Sequence, residues 1–202
     1  MDLNLLGFGY LFLRLAPFVL ASFFTLASIF NQDFKGFIYL VGLLFSSFTT
    51  MIIGNIFNLS RPENVPEICN MLTIGQTSNF SKLPLGQSTI AFTFAYLLFS
   101  IMKHNIWKAN ISTLVFFPLL IFFDFNWNKT NSCYTPTQLL LSLGVGSIVG
   151  FLWSYIISLG KNPSLMYFNQ SSDNEVCSKP TKNTFKCNVY NNGKLISKNI
   201  GG

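Results

Sequence analysis

Residues able to bind a charged group are concentrated in one polar loop between two strongly apolar segments. The loop begins at Arg61 and Pro62 and ends with the run Pro-Leu-Gly-Gln-Ser over residues 84–88. It is the longest polar interruption before the C-terminal tail. An arginine presents a planar fork of donors that suits a phosphate group. If the protein has a functional site, we therefore expect it at this loop.

Histidine and cysteine limit the possible chemistry because they are scarce. The chain has one histidine, His104, and four cysteines, which form no Cys-x-x-Cys pair and no Cys/His cluster with metal-ligand spacing. One histidine excludes any mechanism that needs two imidazoles. We therefore predict no metal site and no cofactor.

The elements that must position the polar loop are membrane-spanning helices. Half of the residues are hydrophobic and 10% are charged, whereas soluble domains carry roughly 25% charged residues. We predict an all-α integral membrane protein with a bundle of about five transmembrane helices over residues 1–160, since a span needs about 20 mainly apolar residues. The first span is too long for a signal peptide, so we expect it to be retained. The predicted spans are 5–30, 36–59, 86–102, 111–126 and 138–159.

The placement of cations predicts the orientation of the bundle. With five spans, three loop cations lie on the side of the polar loop and nine lie on the side of the tail. Cytoplasmic loops carry the excess of Lys and Arg, so we expect the tail in the cytosol and the polar loop in the lumen or outside. The expected location is a multi-pass position in an endoplasmic reticulum-derived membrane or a virion internal membrane. The three cations are Arg61, Lys82 and Lys129; the nine are Lys35, Lys103, Lys108, Lys161, Lys179, Lys182, Lys186, Lys194 and Lys198.

The tail, residues 161–202, is rich in Asn, Ser and Lys. An alternating run over residues 184–190 is followed by Asn192 and Gly193, a turn pair typical of a β-hairpin. Cys177 and Cys187 would staple this appendage as a disulfide, although cytosolic cysteines are usually free thiols. We expect the basic hairpin to bind a protein partner or an anionic lipid surface, and we expect no nucleic-acid partner.

Two charged residues lie inside predicted spans. Arg14 is in the middle of the first span, and Asp124 is near the lumenal end of the fourth. Charges at such depth usually face a bundle interior or a partner, so an Arg14–Asp124 pair is one interpretation. In the other, Arg14 extends to the membrane surface and Asp124 reaches the interface.

Two further features concern packing and cross-links. Cys69 and Cys133 lie in the two predicted lumenal loops, where they either form a disulfide or remain two thiols. The fifth span carries Gly144, Gly146 and Gly150, and small residues at this spacing let helix backbones approach closely. This favours packing inside the bundle over dimerisation, and an oligomer stays an alternative.

Taken in order, these residues resemble the type 2 phosphatidic acid phosphatase superfamily of membrane lipid phosphatases. That family has a helical bundle with a lumen-facing site built from three motifs, Lys-x6-Arg-Pro, Pro-Ser-Gly-His and Ser-Arg-x5-His-x3-Asp. The resemblance covers roughly residues 36–159, and some polyprenyl-phosphatase relatives also carry Gln in place of the last Asp. The matching positions are Arg61 and Pro62 in the first motif, Pro84, Gly86 and Gln87 in the second, and Tyr134 and Gln138 in the third.

The departures from these motifs imply that the catalytic machinery is lost. The family's reaction passes through a covalent phosphohistidine, and a second histidine protonates the leaving oxygen. Of the phosphate-binding or catalytic side chains, Arg61 alone remains. The changed positions are Gly54 for the lysine, Gln87 for the general-acid histidine, Tyr134 for the nucleophilic histidine, and Trp127 and Asn128 for the Ser-Arg pair.

The resemblance therefore predicts a phosphatase-like pseudoenzyme with no catalytic residues. We expect a structural membrane protein whose basic tail anchors the membrane to a protein shell, such as a capsid or scaffold. The abundance of Phe, Ile, Asn and Lys indicates an AT-rich genome. Together with the degenerate enzyme core and the small cysteine-containing tail, it suggests a large DNA virus as the source.

Two alternatives to this structural role stay open. The first is a lipid-phosphate binder or transporter in which Arg61, with Lys82 and Gln87, holds the head group. Gly54 argues against it, because a binder would have reason to keep the lysine. The second is a residual hydrolase.

Overall fold

The structure is a computed structural model that describes residues 5–57, 59, 69, 81–160, 165–167, 189–191 and 194–197. Five helices in it are long and apolar enough to cross a membrane. They confirm the prediction of an all-α bundle with five spans, and the chain is a multi-pass membrane protein. The helices are α1 (Leu5–Asn31), α2 (Lys35–Ile56), α3 (Leu85–His104), α4 (Ile111–Thr130, after a short 3₁₀ turn over Lys108–Asn110) and α5 (Pro136–Leu159).

Helix α3 lies at the centre of the bundle, in contact with the four other helices. In its most apolar stretch 61% of the residues are buried, against 17–33% in the other helices. It is nonetheless the least apolar of the five spans, because its buried face carries hydroxyl groups. The hydroxyl of Thr93 bonds that of Tyr39 at 2.7 Å, and that of Ser88 bonds that of Thr50 at 2.7 Å. These pairs join α3 to α2 where no water is available to satisfy polar groups.

Helices α3 and α5 run parallel and are joined along their length by small residues. Every fourth residue of α5, from Ser142 through Gly146 and Gly150 to Ser154, is buried. Ser142 donates to the carbonyl of Pro84 at 2.7 Å, and Ser154 donates to that of Tyr96 at 3.2 Å. A Cβ on either glycine would collide with an α3 carbonyl, that of Ser88 or of Phe92. The Gly-x-x-x-Gly pair is therefore used inside the bundle.

Glycines of α2 also allow close packing of this helix against α1 and α5. A Cβ on Gly36, at the beginning of α2, would collide with the carbonyl of Phe24 in α1. A Cβ on Gly42 would collide with the indole of Trp153 in α5, whose Nε1 donates to the carbonyl of Ile38 at 3.1 Å. Both contacts need a residue without a side chain, since there is no room for one.

Residues just beyond α5 return to the bundle. The chain divides into two compact units, Met1–Asn169 and Gln170–Gly202, so Leu165–Tyr167, which we assigned to the tail, belong to the first. The Tyr167 hydroxyl donates to the carbonyl of Phe24 at 2.9 Å, and the two rings meet edge to face at 4.8 Å. Burial, together with the nearby Asp33 carboxylate, raises the pKa of Tyr167 to about 12. The phenol therefore stays protonated and able to donate at physiological pH.

Seven residues of the second unit are described, in two short strands. β1 (Val189–Asn191) and β2 (Lys194–Ser197) pair antiparallel, with Tyr190 opposite Leu195. Two strands of this length are marginal as an independent fold. A folded hairpin appendage stays a prediction, and Cys177 and Cys187, which would staple it, lie outside the described residues.

The tight contact between α5 and α3 leads to a first testable prediction. Gly146→Ala places a methyl group against the backbone of Ser88, so we expect the free energy of unfolding to fall by about 1–3 kcal/mol. The measurement is the SDS mole fraction at the unfolding midpoint in mixed micelles. Gly144→Ala is the matched control, because a Cβ on Gly144 meets nothing within 4 Å. Equal midpoints for the two variants would contradict the packing described above.

Candidate functional site

The segment that leads into α3 is fixed by α5. Pro84 precedes the helix with φ −70° and ψ 102°, and its carbonyl accepts from both the Ser88 backbone N–H and the Ser142 hydroxyl. The side-chain amide of Gln138 donates to the carbonyl of Lys82 at 3.1 Å. Pro84 and Gln138, which we assign to the second and third motifs, therefore lie at the same end of the bundle.

Gln138 also caps its own helix. The Thr135 hydroxyl accepts from the Gln138 backbone N–H at 3.3 Å, and the Gln138 Oε1 accepts from the Thr135 backbone N–H at 2.9 Å. This reciprocal arrangement is a capping box, which satisfies two N–H groups that the beginning of a helix leaves free. Gln138 is fully buried. Its amide therefore has two structural uses, one at the beginning of α5 and one on the segment before α3.

Gln87 is the most unusual polar residue at this end. It lies in the first turn of α3, is 1% exposed, and neither its amide nitrogen nor its amide oxygen has a hydrogen-bond partner among the described residues. Buried polar atoms without a partner are costly and call for an explanation. An amide at this point offers both a donor and an acceptor, and it carries no proton that titrates near neutral pH.

Gly54 lies against the segment that carries Lys82. A Cβ on Gly54 would lie 3.3 Å from Cγ of Leu83 and 3.5 Å from Cβ of Lys82. The half-buried Lys82 side chain therefore leaves the backbone next to the point where a side chain at residue 54 would begin. Sequence spacing could not show this adjacency, because residues 54 and 82 lie far apart along the chain.

Arg14 lies closer to the end of the bundle than its place in the predicted span implied. Its Nη2 donates to the carbonyl of Cys69 at 3.4 Å and to Sγ of Cys133 at 3.8 Å, so the guanidinium lies at the level of the loops. Its Cζ is 4.7 Å from the centre of the Trp127 ring, a cation–π contact. The carboxyl of Asp124, 5% exposed, lies within electrostatic range of Arg14.

A disulfide joins Cys69 to Cys133, with their Cα atoms 5.6 Å apart. Cys133 is in the turn between α4 and α5 and is fully buried, and Cys69 is 5% exposed. Tyr134 follows Cys133 in the same turn and is half-buried. Arg61 and Pro62 lie outside the described residues.

The histidine of the chain is at the wrong end for this site. Gln87 is in the first turn of α3 and His104 is its last residue, which at 1.5 Å per residue separates them by roughly 25 Å. Gly86 faces the Pro17 ring of α1, which lies 3.2 Å from where a Cβ would be. What the described residues bring together around the beginning of α3 is a set of amides, hydroxyls and cations without an imidazole.

Comparison with known proteins gives one match. A family model described as the PAP2 superfamily matches residues 35–162, from the beginning of α2 to just beyond α5. No curated protein and no solved structure matches.

The double use of Gln138 leads to a second prediction. Gln138→Ala removes the capping box and the bond to Lys82, so we expect the free energy of unfolding to fall by about 1–3 kcal/mol. Asn126→Ala is the control and should change it by less than about 0.5 kcal/mol, because this exposed amide donates to its own helix at the carbonyl of Phe122. Unfolding midpoints in SDS measure both variants. A Gln138→Ala protein as stable as the control would show that the amide contributes no net stability.

Proposed function

The chain belongs to the PAP2 superfamily, and from that premise we propose that it is a lipid phosphatase-like membrane protein that no longer hydrolyses phosphate esters and has a structural role. The observation that carries this proposal is Gln87. It occupies the position of the general-acid histidine, it is buried, and it cannot exchange a proton near neutral pH.

The other family position that needs a histidine carries Tyr134. A tyrosine hydroxyl is a poor nucleophile in place of an imidazole. His104 is too far from either position to substitute, since it ends α3 while Gln87 begins it. Neither the attack on phosphorus nor the protonation of the leaving oxygen then has a side chain to carry it out.

A structural role fits the hydrogen bonds made by the residues at the motif positions. Gln138 caps α5 and bonds the segment before α3, and Pro84 accepts a bond from Ser142. In our proposal the bundle is a membrane anchor and the basic tail binds a protein shell or scaffold, as in a virion membrane protein of a large DNA virus. The Cys69–Cys133 disulfide supports an oxidising compartment for the site end, which leaves the tail in the cytosol or facing the shell.

The decisive experiment for this proposal is a hydrolysis assay. The full chain is purified into lipid nanodiscs and offered phosphatidic acid and a polyprenyl diphosphate. We expect no phosphate release above that of empty nanodiscs. Arg61→Ala serves as the control, because release that disappears in this variant would come from the family site and would refute the loss of activity.

A second candidate is a lipid-phosphate binder that has lost the chemistry, and the Gly54–Lys82 adjacency favours it. Gly54 lacks the family lysine, but the Cβ of Lys82 is 3.5 Å from where a Cβ on Gly54 would be. The Lys82 side chain thus begins beside the point where a side chain at residue 54 would begin. Lys82, Gln87 and Arg61 would together offer a phosphate head group two positive charges and an amide donor.

Moving this lysine tests the second candidate. In nanodiscs containing phosphatidic acid, Lys82→Ala should weaken head-group binding about tenfold to hundredfold, the value of a charged hydrogen bond. The double variant Gly54→Lys/Lys82→Ala should regain affinity, since Leu83 needs to shift by only a few tenths of an ångström. Nanodiscs of phosphatidylcholine alone give the background.

Lys129→Ala is the matched control for charge, because Lys129 is an exposed cation at the same end of the bundle. Binding that falls equally in Lys82→Ala and Lys129→Ala would reflect the general charge of this end. Binding absent from every version would leave the structural role as the proposed function.

A further inference from the structure

Helix α1 lies outside the matched region, residues 35–162, yet one turn of it contacts the site end of the bundle. Arg14 and Pro17 are three residues apart and therefore point to the same side of the helix. Pro17 lies against Gly86 at the beginning of α3. Arg14 reaches the carbonyl of Cys69 and the sulfur of Cys133.

The contacts of Arg14 come from three separate parts of the chain. Cys69 belongs to the loop between α2 and α3, which also carries the Arg61-Pro62 pair. Cys133 belongs to the turn between α4 and α5, which also carries Tyr134. Trp127 and Asp124, one turn apart on α4, provide the ring under the guanidinium and a negative charge within electrostatic range.

The guanidinium is well suited to this combination of partners. It keeps its charge at any physiological pH, stacks on an aromatic ring through its flat face and donates through its edges at the same time. A lysine has the charge but neither the flat face nor the fork of donors. A charged group near the membrane is retained where it has such partners, because lipid offers none.

We propose that Arg14 is a positioning residue: it holds Cys69 and the Cys133 turn as one unit against the end of α4, at the end of the bundle where α3 begins. Helix α1 is then a brace for this end of the bundle. The proposal rests on the proposed function only in its assignment of the site to this end of the bundle. The contacts of Arg14 are present whether or not a ligand binds.

Exposure of the Cys69–Cys133 disulfide to a reductant measures the brace directly. Both cysteines are buried, so a reductant reaches the bridge through local opening of the loops. The full chain is prepared in nanodiscs with Cys177→Ser and Cys187→Ser in every version, so that one bridge is followed. After brief treatment with a phosphine reductant, new thiols are counted by the gel shift of a maleimide-polyethylene glycol adduct.

We expect the bridge of Arg14→Ala to open about tenfold faster than that of the parent, because a charged donor and a cation–π contact are both lost. Arg14→Lys, which keeps the charge, should lie between the two. Thr25→Ala is the matched control on the same helix, since Thr25 donates to its own helix at the carbonyl of Ala21. Its bridge should open at the parent rate.

Trp127→Leu keeps the proposal testable if Arg14→Ala fails to fold. It removes the ring under the guanidinium and leaves the arginine in place, and we expect the bridge to open severalfold faster with an unchanged global unfolding midpoint. Parent-like opening rates in Arg14→Ala, or in both Arg14→Lys and Trp127→Leu, would overturn the proposal.

The hydrolysis assay separates failure of the brace from failure of the proposed function. The bridge assay needs no ligand, so its result is independent of whether phosphatidic acid binds. Phosphate release by the parent protein would reject the loss of hydrolysis and leave the opening rates of the bridge as measured. Parent-like opening rates in the absence of phosphate release would reject the brace alone.

Discussion

The contact on which the rest of the bundle depends is the close parallel approach of α3 and α5. Within a membrane the hydrophobic effect does not drive helices together, so packing and hydrogen bonds must do so. The stripe of Ser142, Gly146, Gly150 and Ser154 meets this need, since the glycines admit the α3 backbone and the serines donate to its carbonyls. Because α3 is held in this way along its length, it can bury hydroxyls and an amide at the centre of the bundle.

The same contact determines the geometry of the site end. Gln138 and Ser142 bond the segment that precedes α3, so the first turn of that helix, with Gln87, is fixed relative to α5. Most polar groups there have structural partners within the protein. Gln87 is an exception, since neither its amide nitrogen nor its amide oxygen has a partner among the described residues. The arrangement of the site end does not depend on hydrolysis, because the bonds that hold the helices together pass through the same segment.

Helix α1 contacts both ends of the bundle. Where α1 ends and α2 begins, Phe24 of α1 contacts Gly36 of α2. At the site end, α1 makes its contacts through Arg14 and Pro17. At the opposite end, where Phe24 lies, the Tyr167 ring packs on Phe24. The site end, in contrast, is cross-linked by the Cys69–Cys133 disulfide.

Much of this protein could be predicted from its amino-acid sequence alone. Five apolar segments identify five spans, because hydrocarbon thickness and helix rise determine the required length. The resemblance to the family motifs depends on the order and spacing of Arg61, Pro84 and Gln138 along the chain. The stripe of small residues at every fourth position of α5 can be predicted in part, from Gly146 and Gly150. Its serines cannot be assigned in this way, because a serine in a span has several uses.

Tertiary structure decided the features that depend on which residues approach one another. Composition could not show that α3, the least apolar span, is the central helix, since burial depends on neighbours as well as on hydropathy. Spacing could not show that Lys82 lies against Gly54 or that Arg14 reaches Cys69 and Cys133. Residues far apart in sequence become neighbours only when helices pack. The sequence by itself therefore determined the membrane class and the family, while packing alone decided which side chains surround the beginning of α3.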